Sequence, residues 1–248
     1  MESKGDCDRA LAISRGVARS TSMSALFSKA KASAYGWLDS PRVYRLTQAT
    51  VAVGVERTVT RQIRSLLRRM PPAHRVLDVG CGPKSRLWRA EMHPIGLDRS
   101  MSYLAHFRRA GEPAVAASAL MLPFASSSFD AVWCFAMLHH IPDDAARASI
   151  EELVRVTRPG GYAVVLDWCW PESAWRRPGA WAVLKLDRGR YMRKREQLLS
   201  LLPRPDDWSA QRAVYSLFRC EGLFCVFRKP GEGDVGRTGP LVPALGEA

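Results

Sequence analysis

The spacing of apolar and polar positions divides the chain into two kinds of segment. Between Pro41 and Pro72 the apolar residues fall at helical intervals, which predicts two accessory helices separated at Gly54. Further along, short apolar runs alternate with amphipathic segments, an order typical of a parallel sheet flanked by helices. Strands are predicted over 75–79, 94–97, 113–117, 129–135 and 161–168, and helices over 84–91, 100–110 and 143–157.

The last part of the pattern predicts a strand pair. After a helix near 191–201, two apolar runs at about 212–218 and 222–228 are joined by a turn at Glu221-Gly222. Strands connected this tightly pair in the antiparallel direction. The pattern as a whole therefore predicts an α/β fold with seven strands.

Outside this pattern lie two terminal segments. Residues 1–34 are rich in Ser, Ala and Arg without apolar periodicity, so we expect a disordered or weakly structured basic N-terminus. It has no apolar core for a secretory signal, and its acidic residues argue against a transit peptide, although a targeting role stays open. We expect one folded domain over 35–230, in which residues 170–200 are a candidate lid, and a flexible tail over 231–248.

Composition agrees with a single globular domain. The chain has 248 residues, of which 47% are hydrophobic, and no apolar run approaches the roughly 18 residues of a membrane span. Six cysteines without a C-x-x-C pair favour a reducing, cytoplasmic location. The five histidines show no H-x-x-x-H spacing, so the sequence predicts no metal site.

The positive charge is confined to the flanks. Residues 71–170 carry 10 basic and 10 acidic side chains, whereas residues 1–70 carry a net +8 and residues 171–248 a net +5. Such flanks could meet nucleic acid, an anionic membrane surface or an acidic substrate. Because Arg outnumbers Lys 30 to 7 and no RNA-binding module is present, nucleic acid remains possible but is not favoured. The sequence carries no signal for the oligomeric state.

A glycine-rich turn is the strongest candidate for chemistry. The run VLDVGCG ends a predicted strand at 76–82, and Gly80 and Gly82 permit positive φ and close approach of a ligand. Asp98 follows Asp78 by 20 residues, the spacing at which a strand-helix-strand unit places an acid against ribose hydroxyls. The alternatives are that Asp78 caps the next helix and that Asp98 is the N-cap of a helix starting at Arg99 or Ser100.

Four segments in this order resemble the class I S-adenosylmethionine-dependent methyltransferases, in particular the group typified by quinone and sterol methylating enzymes. They are VLDVGCG at 76–82, GLD at 96–98, LPFASSSFDAVWCFAMLHHI at 122–141 and RVTRPGGYAVVLDW at 155–168. The resemblance implies a Rossmann-like, doubly wound seven-stranded sheet whose last strand is antiparallel, here preceded by N-terminal accessory helices. It also implies transfer of a methyl group from S-adenosyl-L-methionine to a small acceptor, which we expect to be aromatic or lipid-like.

By the same resemblance, the cofactor would contact the carboxyl ends of the first strands. The residues expected there are Asp78, Gly80, Cys81, Gly82, Asp98, Arg99, Ser118, Ala119, Leu120 and Phe135. Asp98 would accept the ribose hydroxyls, and residues 118–120 would border adenine. Two positions depart from the family pattern: Lys84 replaces a third glycine, and Ser118 stands where an acid usually meets the adenine amine. Lys84 could reach the cofactor carboxylate, but a position in solvent is favoured.

His139 and His140 are the candidate catalytic residues. They follow the fourth strand, where the family pocket opens toward the acceptor, and a neutral imidazole there could remove the acceptor's proton. The alternative is a packing role in the loop. Methyl transfer to an anionic acceptor also needs no protein base.

Aromatic residues are concentrated after the fifth strand. Trp175 and Trp181 are the candidate substrate contacts in this stretch, which also carries several arginines. The stretch would cover an apolar or aromatic acceptor bearing an acidic group; alternatively, it is a helix packed on the domain. Tyr35, Trp37 and Tyr44 would form the opposite wall.

Two further functions stay open from the sequence. The basic flanks favour methylation of RNA or protein. The substitutions at Lys84 and Ser118 favour a non-catalytic module that binds S-adenosylmethionine.

Overall fold

The computed structural model describes residues 55–187, 189–215 and 218–234, which contain one seven-stranded sheet. Its strands are β1 (Val76–Val79), β2 (Ile95–Asp98), β3 (Ala114–Ala116), β4 (Phe129–Phe135), β5 (Thr157–Cys169), β6 (Trp208–Tyr215) and β7 (Cys220–Arg228). The order across the sheet is β3-β2-β1-β4-β5-β7-β6. Strands β1 to β5 pair in parallel, and β7 is antiparallel to both β5 and β6. This confirms the predicted α/β sheet with a reversed last strand.

Helices cover both faces of the sheet. They are α1 (Val55–Leu67), α2 (Met101–Arg109), α3 (Asp143–Val156), α4 (Pro178–Leu186) and α5 (Arg195–Leu199). Helix α1 places Val59 and Ile63 in the core on one face, and α3 places Ile150 and Leu153 in the core on the other. These residues recur every three or four positions, so each helix turns a single apolar side inward. The sheet is therefore doubly wound.

Burial on both faces explains the composition of β4. Every residue of this central strand except Asp130 is buried, as expected of a parallel strand with helices above and below it. In the parallel register Val79 lies opposite Leu97, and Asp98 lies opposite Ala116. The carboxyl ends of β1, β2 and β3 consequently meet at one edge of the sheet, where α/β folds bind their ligands.

Two predicted local elements were wrong. Instead of a helix over 84–91, the chain forms a short 3-10 turn at Leu87–Ala90, which ends because Glu91 adopts a left-handed φ of 63°. Glu221 and Gly222 do not form the hairpin turn; they lie inside β7, where Gly222 pairs with Ala213. Helix α4 corresponds to the packed-helix alternative for this stretch; its bounds were not predicted, since its short apolar sequence lacks a clear amphipathic period.

The residues after β5 form a loop whose two ends meet. Cys169 bridges to Arg193, and the Trp170 amide donates to the Arg193 carbonyl at 2.9 Å. The Trp170 indole also donates to the Met192 carbonyl at 3.1 Å. We call residues 170–193 the post-β5 segment; it starts and finishes at the carboxyl end of β5.

Some predictions concern residues beyond those described. The weakly structured N-terminus over 1–34, the first accessory helix and residues 235–248 of the tail all lie outside the described ranges, whereas the second accessory helix is α1. Within the predicted tail, Asp234 accepts hydrogen bonds from Arg228 at 2.7 Å and from the Gly231 amide at 3.0 Å. Among the described residues, no helix has the length and apolar character needed to cross a membrane.

Candidate functional site

The turn after β1 depends on its glycines. Gly80 and Gly82 have φ values of 71° and 62°, a left-handed conformation that other residues adopt only with strain. The amides of Gly80 and Cys81 both donate to the Leu97 carbonyl, at 2.7 and 3.1 Å. A side chain at Gly80 would come within 2.6 Å of Met137 Cγ. The turn therefore holds bare backbone at the carboxyl edge of the sheet.

Asp98 is fixed beside this turn. Its Oδ2 accepts from the Gly82 amide at 3.0 Å, and its Oδ1 accepts from the Ser100 amide at 2.8 Å. Ser100 is the N-cap of α2 and accepts from the Tyr103 amide, so Asp98 is not the cap. Because each carboxylate oxygen has a second lone pair, Asp98 can still accept from two hydroxyl groups.

Asp78 lies deeper, at the base of the turn, and is almost fully buried. It accepts a hydrogen bond from Ser85 Oγ at 2.6 Å, and Ser85 Oγ in turn accepts from the Leu87 amide at 3.1 Å. Ser85 therefore makes the capping contact, and Asp78 supports it. Burial raises the pKa of Asp78 to about 7, and the Ser85 hydrogen bond offsets only part of that rise.

The expected adenine-side residues follow β3. The Ala117 amide donates to the Asp98 carbonyl at 3.2 Å, which places residues 118–120 next to the end of β2. Ser118 Oγ accepts from the Leu120 amide at 3.2 Å, so this hydroxyl closes its own turn. Cys81 is buried, whereas Arg99 and Lys84 are exposed. Lys84 thus lies in solvent, as the sequence favoured.

The chain bends sharply as it leaves β4. Phe135 is buried and stacks on Trp133 with ring centroids 5.5 Å apart, which makes it a core residue. The next residue, Ala136, has a left-handed φ of 51°, and its amide donates to the Leu166 carbonyl at 2.8 Å. This bend directs the following histidines toward β5.

The structure distinguishes the two candidate catalytic histidines. His139 is buried; its Nδ1 contacts Asp167 Oδ1, its amide donates to Asp167 Oδ2 at 3.0 Å, and its Nε2 lies 3.4 Å from Asp187 Oδ1. Burial lowers the pKa of His139, but Asp167 and then Asp187 raise it further, to about 10. His139 is thus held protonated and has no lone pair for a general base. His140 is exposed, with its ring centroid 4.1 Å from that of His139, and is the better candidate.

Arg193 fixes this histidine turn, although no sequence motif pointed to it. The guanidinium is buried and donates to the carbonyls of Leu138 and Ile141, each at 2.8 Å. It also donates to Asp143 at the start of α3, at 2.8 Å. The post-β5 segment consequently braces both ends of the turn that carries the histidines.

Two tryptophans of the post-β5 segment lie on the surface. Trp175 is 96% exposed and Trp181 is 42% exposed. Trp181 lies 6.4 Å from Trp170 between ring centroids, and Lys185 Nζ lies 5.4 Å from the Trp181 ring. The inner side of α4 packs on the domain through residues such as Leu184. The segment therefore combines a packed helix with exposed rings.

The arginines of this segment are partly neutralised. Arg177 forms an ion pair with Glu221, which also accepts from Arg212 at 2.7 Å. These groups belong to a cleft of about 450 Å³ lined by Glu172, Ser173, Arg176, Arg177, Arg212 and Glu221. The expected opposite wall, Tyr35, Trp37 and Tyr44, lies outside the described residues.

The fold brings together possible metal ligands that are far apart in the sequence. Donor atoms of His139, His140 and Asp187 all lie within 4.8 Å of one another. No metal site was predicted from the sequence, because that prediction rested only on the local spacing of the histidines. Asp187 belongs to a different segment, so this grouping appears only in three dimensions.

Comparison with known proteins agrees with this geometry. The family model described as a methyltransferase domain matches residues 77–165. Demethylmenaquinone methyltransferase from Mycobacterium sp. (strain KMS) is 35% identical over 135 residues, which cover 53% of this chain and 57% of that protein. A tRNA (carboxymethyluridine(34)-5-O)-methyltransferase, ALKBH8 of Macaca fascicularis, is 34% identical over 108 residues, covering 43% of this chain and 16% of that protein.

Solved structures show the same fold. One is an S-adenosylmethionine-dependent methyltransferase from Thermotoga maritima, described as a possible histamine N-methyltransferase. It superimposes with a TM-score of 0.59 at 16% identity, and the match covers 79% of this chain and 99% of that one. The cyclase SpnF superimposes with a TM-score of 0.52 at 18% identity, covering 68% and 80%. Residues 77–165 thus carry a methyltransferase domain, and the described residues share the fold of S-adenosylmethionine-dependent methyltransferases. The chain spans little more than half the length of the demethylmenaquinone methyltransferase it matches.

Proposed function

We propose that the protein transfers a methyl group from S-adenosylmethionine to a small aromatic or lipid-like acceptor. The observation that carries this proposal is the contact between Asp98 and the Gly82 amide in a left-handed glycine turn. Bare backbone and a hydroxyl-accepting carboxylate thus lie side by side at the ligand-binding edge of the sheet. Both fall within the matched methyltransferase domain.

The residues at this edge fit the cofactor. Asp98 would hold the ribose hydroxyls, and the left-handed turn at Gly80 and Gly82 would bring backbone against the cofactor. Only glycine fits at position 80, because a Cβ there would lie 2.6 Å from Met137 Cγ. When bound, S-adenosylmethionine supplies an activated methyl group on a sulfonium. The remaining work of the chain is to orient the acceptor and exclude water.

The position of His140 supports a role in removing a proton from the acceptor. This residue follows β4 at the same edge of the sheet and is exposed, so its imidazole can reach a molecule bound there. A proton leaving the acceptor oxygen or carbon would move to this ring. His139, held protonated between two carboxylates, would instead orient the turn.

Two observations favour a quinone-like acceptor. The matched demethylmenaquinone methyltransferases act, by their name, on a lipid-like quinone. In addition, the exposed rings of Trp175 and Trp181 offer apolar surface on the post-β5 segment. The direct assay supplies demethylmenaquinone and methyl-tritiated cofactor and measures labelled product by extraction into organic solvent.

The cofactor site is tested by Asp98→Ala. Losing two charge-assisted hydrogen bonds should weaken the binding of S-adenosylhomocysteine by on the order of 30- to 150-fold, about 2 to 3 kcal/mol, in calorimetry. Asp130→Asn is the matched control, because Asp130 also accepts backbone amides, from His74 and Arg75, but at the start of β4. Unchanged affinity in Asp98→Ala would remove the assignment.

RNA methylation is the second candidate. It is favoured by the tRNA-methylating relative together with the basic flanks. If it is correct, binding of bulk tRNA should weaken steeply as salt rises from 50 to 200 mM, and tritium should enter the RNA fraction. Label found only in the organic extract would favour the quinone acceptor.

A further inference from the structure

We propose that His139, His140 and Asp187 form a three-ligand site for a first-row divalent transition-metal ion, tested here as Zn²⁺. The site lies where the turn after β4 meets the end of α4. Two imidazoles and one carboxylate are a donor set that such ions accept. The ion would displace the Nε2 proton that His139 otherwise shares with Asp187. Three protein ligands would leave one coordination position open.

The distance between two of the donor atoms supports a shared ion. His139 Nε2 and Asp187 Oδ1 are 3.4 Å apart. A hydrogen bond between a charged nitrogen and a carboxylate is about 2.7 to 2.9 Å long. Two ligands at roughly 2.1 Å from one tetrahedral Zn²⁺ are about 3.4 Å apart. The pair is thus wider than the shortest charged hydrogen bonds and matches the separation of two ligands on one ion.

The surrounding groups orient both of these ligands. His139 Nδ1 contacts the buried carboxylate of Asp167, which turns Nε2 toward the site. The Gly189 amide donates to Asp187 Oδ1 at 2.7 Å and fixes that carboxylate. A histidine whose other nitrogen meets a carboxylate, and a carboxylate held by an amide, are the usual second contacts of metal ligands.

The position of Gly189 shows how closely the two segments approach. A Cβ at Gly189 would lie 2.2 Å from His139 Cδ2 and 3.0 Å from Asp187 Oδ1. Arg193 holds the carbonyls on either side of the histidines, at Leu138 and Ile141. The ligands are therefore held by fixed backbone on both segments, so little order would be lost when an ion binds.

An ion here would act on the acceptor of the proposed function in place of the His140 imidazole, whose lone pair would then bind the ion. Its open position could take an acceptor hydroxyl and lower the pKa of that hydroxyl, as metal ions do for bound water. Only this role rests on the proposed function. Binding of the ion depends on the three side chains alone and can be measured without methyl transfer.

The experiment titrates the full chain with metal after dialysis against a chelator. Zn²⁺ binding is followed by calorimetry at pH 8, and Co²⁺ binding by visible absorption. We expect one ion per chain, release of protons on binding and Co²⁺ bands typical of four-coordination. His140→Asn and Asp187→Asn should each weaken binding by more than about 100-fold, and Asp167→Asn by about 10- to 100-fold.

A surface histidine provides the matched control. His93 contacts Glu112 on the far side of β2 and should contribute nothing, so His93→Asn should bind Zn²⁺ as the unchanged chain does. Circular dichroism checks that the His140 and Asp187 variants remain folded; both side chains are at least partly exposed. Equal affinity in those variants overturns the inference. A chain that binds S-adenosylhomocysteine but no Zn²⁺ also overturns it and leaves the proposed function intact.

Discussion

Two aspartates near the glycine turn have opposite electrostatic settings. Asp98 is half-buried and accepts two backbone amides. Asp78 is buried, and the only hydrogen bond described for it comes from the Ser85 hydroxyl. Burial disfavours the charged form by more than the Ser85 hydrogen bond and the nearby Arg86 favour it, so the pKa of Asp78 rises to about 7.

The raised pKa predicts that Asp78 lowers the stability of the folded chain as the pH rises. The folded chain keeps the proton that the unfolded chain releases near pH 4, so the contribution of Asp78 to stability is present below about pH 4 and falls until about pH 7. Relative to Asp78→Asn, the unchanged chain should lose on the order of 2 to 4 kcal/mol between these limits in urea unfolding.

Asp130 gives a control of opposite sign. Its pKa is lowered, because the amides of Arg75 and His74 and the Arg158 guanidinium outweigh its burial. Its contribution should therefore be present at neutral pH and be lost as the pH falls through the depressed value. A flat difference between Asp78→Asn and the unchanged chain from pH 4.5 to 8 would contradict the assignment at Asp78.

At the residue scale, the site positions that lie in the glycine-turn motif were predictable from the sequence. Gly80, Gly82 and Asp98 were predictable because the turn needs left-handed glycines and the strand-helix-strand unit fixes the spacing. Asp167 and Arg193 were not, because each acts through contacts with residues far away in the sequence. A lone Asp in a strand or a lone Arg in a loop carries no local signal of its partner.

At the scale of elements, the post-β5 segment bears on two alternatives that the sequence left open, a cover for the acceptor and a helix packed on the domain. Helix α4 buries Ala180 and Leu184, as the packing alternative required. Trp175 and Trp181 nevertheless remain on the surface. One side of the segment packs on the domain, and these two rings lie outside that packing, so their contact with an acceptor stays a prediction.

The two tryptophans should behave differently from core residues. Trp175→Ala should change the free energy of unfolding by no more than about 0.5 kcal/mol, because an exposed ring loses few contacts. The double variant Trp175→Ala and Trp181→Ala should raise KM for the acceptor at least about tenfold while leaving cofactor affinity nearly unchanged. Trp133→Ala removes a buried core ring and should instead lower the free energy of unfolding by several kcal/mol, on the order of 3 to 5. An unaltered KM in the double variant would show that the rings do not contact the acceptor.

At the scale of the whole molecule, the sheet was predictable because its strands have a strong period and strict order. The errors fell where a single residue decides the outcome. The predicted helix over 84–91 is only a 3-10 turn that starts at Leu87 and ends at the left-handed Glu91, and the strand pair reverses before Cys220 and not at Glu221. Boundaries of this kind depend on tertiary contacts that local patterns do not contain.

The basic N-terminus should be separable from the domain. Its composition predicts that residues 1–30 bury little apolar area, so their removal should leave the melting temperature within about 2 °C and cofactor affinity unchanged. Differential scanning calorimetry and cofactor titration of the shortened chain test this. A drop of 10 °C would mean that those residues pack on the domain.

The closure of the post-β5 segment between Trp170 and Arg193 has a consequence for how such a protein can diversify. A loop whose ends already touch can grow or shrink at low entropic cost, about 0.6 kcal/mol for each doubling of length. Insertions there leave the pairing of β5 with β7 in register. On the proposed function, replacing this segment with that of a relative would change the acceptor, while the cofactor-binding residues stay the same.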